Sequence, residues 1–478
     1  MKGGFHTLFR RFCLETSILG LKYFYLYPDL FSRCFWGISL ISVLYLAFQM
    51  TIFLYKRFDE MPTRITIENQ FEPMLNISYP AITICSPNQI TLTAMKHLNR
   101  TLVDGNRTLD LIAILPQLLG FYTITEVNID SLKNLEDLLL VNRYYATEIL
   151  SLVPQSCDDF LKLCYLDKIR YPKCKGLFNP ILTNGGMCCI FNSMYAYRNH
   201  RRNEKIRNFV GYSGRITGIL SGLTVVTDYN PDDAVDGTII HAGALKIMVS
   251  ESTTFPVEDE SNLIHTNAES FHLLNPIYTY CSTEVSSLPS WSRNCYFPDE
   301  KWLSHFQHYR RSDCEVLCAA KDIERSCNCW PPYLPYARNI CNITSIACIV
   351  SSKENSLVPD SCNCQRDCEA FHYRIETSVG NLDGLKYLTI NPYSDVQFTN
   401  STSILHFFFT KPVYVKQKQE TVMSLITLSS NLGGVFGLCL GCSAISVMEI
   451  IFYTYAYIRN KIVNTKRRYK KKLTYFLH

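Results

Sequence analysis

The sequence predicts an α+β membrane protein with two transmembrane helices and a large disulfide-rich extracellular domain. Three observations predict it. Two long apolar segments lie near the two ends of the 478-residue chain. The stretches outside them are basic, with net charges of +3 over residues 1–33 and +8 over residues 459–478. Between the apolar segments stand 17 of the 21 cysteines and all five N-x-Ser/Thr sequons, Asn76, Asn99, Asn106, Asn342 and Asn400.

Residues 1–33 read as a cytoplasmic segment, because lysine and arginine accumulate on the cytoplasmic side of a span. Residues 34–55, "CFWGISLISVLYLAFQMTIFLY", carry no charge. As a helix they rise about 33 Å, enough for a hydrocarbon core of roughly 30 Å. A cleaved leader is the rival reading. It fits poorly, because the segment starts late, exceeds an h-region and lacks a small-residue cleavage site.

Residues 56–421 form the extracellular domain. The chain's net +5, less the two basic ends and the single acid Glu449, leaves −5 here. Sequons and dense cysteine both suit an oxidising, glycosylating compartment. A β-branched run in "NISYPAITICSPNQ" predicts a strand. The Leu-rich stretch 91–160 has helical spacing and predicts a small helical lobe. Strand patterns return over 210–256 and again over 370–421, in "FHYRIETS" and "SILHFFFTKPVYV". Residues 281–368 are the cysteine-dense part. Cys314 and Cys318 stand four apart, on one helix face. Cys327-x-Cys329 and Cys362-x-Cys364-x-x-x-Cys368 are tight clusters. Zinc would need reduced thiolates, so a disulfide-stapled lobe with no metal is the expectation.

Residues 422–458 are the second apolar segment. One straight helix of this length would extend about 55 Å, so it must tilt, break or project. Its text "SSNLGGVFGLCLGCSAISVMEI" is not that of a plain anchor. Gly433, Gly434, Gly437 and Gly441 allow close helix packing, or a break that offers backbone to a wet lumen. By themselves they leave both readings open. Ser429, Ser430, Asn431 and Glu449 favour the lumen, since polar groups in a span cost several kcal/mol unless they face protein or water. Glu449, towards the basic end, is read as part of a carboxylate ring at an inner mouth; the alternative is an interfacial partner for a nearby Lys or Arg. The basic tail 459–478 orients the chain and meets anionic lipid; nucleic acid is not the expected partner.

No H-E-x-x-H, G-x-S-x-G, P-loop or G-x-G-x-x-G motif occurs, and His305-x-x-His308 is weak as a metal pair, so no enzyme is expected.

These residues resemble the epithelial sodium channel/degenerin/acid-sensing channel family. "FCLETSILGLKYF" is similar to its amino-terminal gating segment, and "YPAITIC" to the strand after its first span. "GMCCIFNS" resembles its G-x-C-x-x-F-N element. "ERSCNCWPPYLP" and "CNCQRDC" resemble its cysteine-rich lobe. The amino terminus resembles the insect pickpocket branch. The resemblance implies a trimer, from this chain alone or with related subunits, around a sodium-selective, amiloride-sensitive pore. The permeant ion is sodium, and no cofactor is implied. Each extracellular domain would hold a β-sheet palm, a helical finger, a cysteine-rich helical thumb and a knuckle. The location implied is the plasma membrane, with both termini cytoplasmic.

By the same resemblance, Gly441-Cys442-Ser443 matches the G-x-S selectivity element, with Asn431, Gly433, Gly434, Gly437 and Glu449 lining the pore. Ser430 aligns with the position where a bulky residue props the pore open. Gly20 matches the glycine of a His-Gly gating pair, but Leu19 stands where the histidine should be. The implied disulfides are Cys85–Cys188, Cys164–Cys174, Cys295–Cys368, Cys314–Cys364, Cys318–Cys362, Cys327–Cys348 and Cys329–Cys341. Cys157, Cys189 and Cys281 are left without an assigned partner. The rival function is a two-span glycosylated lipid or scavenger receptor with an inert second span and no pore.

Overall fold

A computed structural model describes residues 2–18, 20–27, 29–60, 63–74, 77–102, 110–196, 211–212, 217–257, 261–355 and 362–475. Leu19, Asn76 and Asn106 lie outside the described residues. The chain forms two compact units. One comprises Met1–Arg64, Thr283–Leu288 and Gln419–His478; the other comprises Ile65–Ser282 and Pro289–Lys418.

The larger unit is built on two sheets. The eight-stranded sheet has the order Thr63–Pro73, Val413–Thr421, Ala268–Cys281, Thr402–Phe409, Leu223–Asp228, Leu161–Leu166, Ile169–Pro172, and Ala370–Asn381 also pairs with Ala268–Cys281. That long strand runs parallel to Thr402–Phe409, with Glu269 opposite Ile404, and antiparallel to Ala370–Asn381. The five-stranded sheet is antiparallel, in the order Phe178–Thr183, Gly186–Phe191, Ala81–Cys85, Leu245–Ser250, Ser261–Ile264. All five residues of "AITIC" are buried, which its continuous β-branched run requires of a strand covered on both faces. Ile82, Ile84, Phe191, Leu223, Val225, Leu405 and Phe407 share one apolar core drawn from both sheets. Tyr79 ties them together, its hydroxyl donating to the Phe407 carbonyl at 2.7 Å.

The Leu-rich stretch folds as short helices, Leu92–Thr101, Leu111–Ile114, Ile129–Val141 and Ala146–Leu152, with a 3₁₀ turn at Leu115–Phe121. Thr91, Asp110 and Asn128 cap three of them by accepting first-turn N–H groups. Leu98, Leu115, Leu118, Leu132, Leu135 and Leu139 form a second core together with Ile343, Ile346 and Ile349 of the cysteine-dense region. There, helices Arg311–Cys327 and Ile346–Asn355 carry four of the stapled cysteines, Cys314, Cys318, Cys327 and Cys348, and Gly120 packs directly on Ile346.

In the smaller unit the first apolar segment is one helix, Leu30–Glu60, the chain's only unbroken helix long and apolar enough to span a bilayer among the described residues. It extends beyond the expected 34–55 at both ends, because no proline or glycine interrupts the flanking Leu30–Arg33 and Lys56–Glu60. The second apolar segment is two helices, Leu425–Leu440 and Ala444–Tyr475, bent by 75° at the break. Its second half runs through the basic residues that the sequence leaves as a tail. A helix Lys2–Glu15 and a short helix Leu21–Leu26 precede the helix Leu30–Glu60.

Candidate functional site

The break in the second apolar segment is made by one residue and closed by three hydrogen bonds. Gly441 ends the first half in the left-handed region, with φ 61° and ψ 20°. Its N–H bonds to Gly437 O at 2.9 Å, and the Cys442 N–H reaches six residues back to Phe436 O at 3.2 Å, so a left-handed cap satisfies two of the last carbonyls of the helix. Glycine is the residue that adopts this conformation without a Cβ penalty. The next helix starts at Ala444, and the Ser446 hydroxyl reaches back to accept the Ser443 N–H at 3.0 Å, half of a capping box. Gly441-Cys442-Ser443 is therefore a terminated, re-initiated corner.

Ser430, Asn431, Gly433 and Gly434 all lie on exposed surface of the helix Leu425–Leu440. A Cβ added at Gly433 or Gly434 would meet no atom of this chain; at Gly437 it would meet only the Cys442 carbonyl, at 3.7 Å. This helix packs on Leu30–Glu60, where Ala47 is almost wholly buried. The stripe of small and polar residues is thus not consumed within one chain.

The amino-terminal segment turns at Thr16-Ser17 and again at Gly20, which has φ 94°. A Cβ at Gly20 would press on Leu40 Cδ1 at 3.1 Å, so the position suits glycine on two counts. Tyr23 stacks on Trp36 at 4.5 Å and holds the short helix to the helix Leu30–Glu60.

Glu449 meets that segment. Its Oε2 accepts the Thr16 hydroxyl at 2.8 Å, the Ser17 N–H at 2.9 Å and the Ser17 hydroxyl at 3.2 Å. No lysine or arginine pairs with it among the described residues. Ser17 Oγ also lies 2.7 Å from Ser446 Oγ. One turn further on, the Tyr453 hydroxyl donates to Glu15, which Arg11 also contacts at 2.9 Å. Sequence reading missed Thr16, Ser17 and Ser446. Their signal was a polar pair placed shortly before the matched glycine and a serine one turn from an acid in an apolar segment.

Eight disulfides form in the larger unit: Cys85–Cys188, Cys164–Cys174, Cys295–Cys368, Cys314–Cys364, Cys318–Cys362, Cys327–Cys348, Cys329–Cys341 and Cys157–Cys189. The last joins two of the three cysteines the sequence left unassigned. Cys281 is buried, with its Sγ 3.8 Å from Cys295 Sγ. Of the described sequons, Asn99 and Asn400 are exposed, and Asn342 is exposed but donates to Glu136 at 2.6 Å. His305 and His308 hold separate partners, the Pro335 carbonyl and Asp299, and do not converge on a metal.

A family profile described as amiloride-sensitive sodium channel matches residues 12–453. The chain is similar to the sodium channel protein Nach of Drosophila ananassae, at 27% identity over 99% of this chain and 91% of the relative. It is similar to pickpocket protein 28 of Drosophila melanogaster, at 26% identity over 92% and 77% of the two chains. It also matches acid-sensing ion channel 4-B of Danio rerio, at 23% identity over 90% and 72%.

Proposed function

The chain belongs to the amiloride-sensitive sodium channel family, a family of ion channels and not of enzymes, and on that premise we propose that it is one subunit of a trimeric, sodium-selective, amiloride-sensitive channel. Its two apolar segments, 34–55 and 422–458 with their helical extensions, cross the plasma membrane, and both termini are cytoplasmic. The extracellular domain, 56–421, receives the stimulus: the two sheets are the palm, the Leu-rich helices the finger, and the stapled helix pair the thumb. Three copies, identical or drawn from related subunits, bring their second spans together along the unconsumed stripe of Ser430, Asn431, Gly433, Gly434 and Gly437.

One observation carries the reading: the capped corner at Gly441-Cys442-Ser443. A span interrupted in hydrocarbon leaves polar backbone that only protein or a water-filled lumen tolerates. Three such corners around an axis present a ring of carbonyl and hydroxyl oxygens, which replace part of a sodium ion's hydration shell. A pore-free receptor has no use for this corner. The basic tail binds anionic lipid of the inner leaflet. Leu19 leaves this chain without the donor and acceptor a histidine would supply, so its opening differs from that of histidine-bearing sisters or depends on them.

The test is sodium-dependent recording after expression alone and with sister subunits. An amiloride-blocked current that requires this chain supports the reading; none in any combination, with the protein at the cell surface, removes it. Comparison of Leu19→His with the parent then reads the gating contribution, and equal open probability refutes the role given to position 19.

A further inference from the structure

The hydrogen bonds around Ser446 admit only one order of protons. Ser446 Oγ accepts the Ser443 N–H, and Ser17 donates its hydroxyl proton to Glu449 Oε2. A hydroxyl has one proton to give, so the 2.7 Å contact between Ser446 and Ser17 must run from Ser446 to Ser17. The result is a directed chain: Ser443 N–H to Ser446, Ser446 to Ser17, Ser17 to the Glu449 carboxylate. Each hydroxyl accepts and donates once, and a charge terminates the series, which strengthens every link in it. Ser446, Glu449 and Tyr453 fall at i, i+3 and i+7 and share one face of the helix Ala444–Tyr475. The Glu15–Tyr453 bond and the edge-on packing of Phe12 and Tyr453 at 5.2 Å extend the same seam, and Cys13 beside them is 1% exposed.

We propose that Thr16, Ser17 and Glu449 form a latch through which the amino-terminal segment holds the corner at Gly441-Cys442-Ser443, with Ser17 as the coupling residue and Glu449 as its anchor. The role of Glu449 is then positional: it fixes Ser17, Ser17 orients the Ser446 hydroxyl, and that hydroxyl holds the first N–H after the corner. Releasing the amino-terminal segment frees the Ser446 hydroxyl to rotate and loosens the start of the second half-helix. The channel reading is needed for the consequence at the pore; the latch itself is a statement about the protein alone.

The test separates the two. In full-length protein in membranes, Cys13 is labelled by a maleimide applied from the cytoplasmic side and quantified by peptide mass, which distinguishes it from Cys34, Cys439 and Cys442. Losing a hydrogen bond to a charged group speeds local opening roughly tenfold or more, so Ser17→Ala and Glu449→Gln should each label Cys13 at least that much faster. Ser17→Thr, which keeps the hydroxyl, should hold the parent rate, and the Ser17→Ala/Glu449→Gln pair should be no faster than Glu449→Gln alone, since that substitution already weakens the anchor of the Ser17 link. Where current is measurable, the same variants should shift the sodium-to-potassium permeability ratio. Unchanged Cys13 labelling in both single variants overturns the proposal, as do multiplicative effects in the double variant. A Glu449→Gln variant that lowers conductance without exposing Cys13 overturns it too, and assigns the carboxylate to the mouth of the pore. Faster labelling with no sodium current under any condition keeps the latch and rejects the channel.

Discussion

Asp313 Oδ1 accepts the backbone N–H of Phe255 at 3.0 Å, although Asp313 is 1% exposed. The carboxyl sits in the first turn of the helix Arg311–Cys327, with the Tyr195 hydroxyl 3.5 Å from its other oxygen. Burial pushes its pKa up to about 8, against the lowering effects of the Phe255 N–H, Arg310 and the Tyr195 hydroxyl. Asp367, which accepts the Arg311 N–H at the same helix end, is lifted by burial to about 6.

These shifts fix the sign of a pH dependence. Between the ordinary aspartate value near 3.8 and about 8, folded Asp313 holds a proton that the unfolded chain has released. Stability from this group is therefore complete below about pH 4 and declines as pH rises through 8. The melting temperature of the full chain in detergent should fall from pH 5 to 8.5. Asp313→Asn, a permanent mimic of the protonated form, should flatten most of that fall and leave the smaller Asp367 component below about pH 6. An unaltered slope in Asp313→Asn would show that the carboxyl is not its source.

Gly441→Ala places a Cβ on a residue with φ 61°. The left-handed conformation costs an L-residue about 1–2 kcal/mol, and the helix end can relieve it only by re-forming the break. The expected outcome is a protein that folds and reaches the surface with altered ion selectivity, read as a shifted reversal potential in mixed sodium and potassium. A parental reversal potential would mean that the corner does not set selectivity.

Much of the architecture was written in local pattern. The unbroken run of Ala81–Cys85 and the helical Leu spacing of 91–160 state their burial locally. The long central strand Ala268–Cys281 was missed, although its burial alternates almost perfectly. Pro276 argues against a central strand, and histidine and serine at buried positions obscure the apolar face. In the fold, Ser270 and His272 bond to one another at 3.0 Å, so burial costs them little. Segment length and glycine content allowed a break within 422–458, and the family resemblance pointed to Gly441-Cys442-Ser443 as its place. The Glu449 contacts were not legible, because they join residues more than 430 positions apart, and no local pattern encodes a partner at that distance.

Gly120 tests the seam between the Leu-rich lobe and the stapled helices. A Cβ there would overlap Ile346 Cγ2 and lie 3.1 Å from Val350 Cγ2. Both neighbours are branched and buried, so they yield only by shifting the helix Ile346–Asn355. Overpacking of this kind costs about 1–3 kcal/mol. Gly120→Ala should lower the melting temperature and surface delivery, and pairing it with Ile346→Leu, which carries no Cγ2, should recover part of both. A neutral Gly120→Ala would mean that the seam is loosely packed.

The Cys157–Cys189 bridge closes a loop with a sequence separation of 32 beside Cys85–Cys188. Constraining a loop of this size stabilises by roughly 2–4 kcal/mol. Peptide mapping without reduction should recover Cys157 joined to Cys189, and the Cys157→Ser/Cys189→Ser pair should melt lower by a corresponding amount. A map joining Cys189 to any other cysteine would contradict the pairing.

Ser430 offers the most direct test of the proposed assembly. It is exposed in this chain, on the same helix as Gly433 and Gly434, whose missing side chains leave open space around them. If three such helices close on one axis, that space is filled by the neighbouring copies, and a large side chain at position 430 cannot be accommodated in the closed arrangement. Close packing through small residues is what such helices gain on associating, so bulk at the contact penalises the closed state more than the open one. Ser430→Phe, expressed with whichever subunits the channel requires, should therefore give a standing sodium current, while Ser430→Ala should behave as the parent. The standing current should be blocked by amiloride and should vanish when sodium is replaced by a large organic cation. If Ser430→Phe reaches the surface in the company of those subunits and conducts no more than Ser430→Ala, the helix Leu425–Leu440 does not face a shared pore.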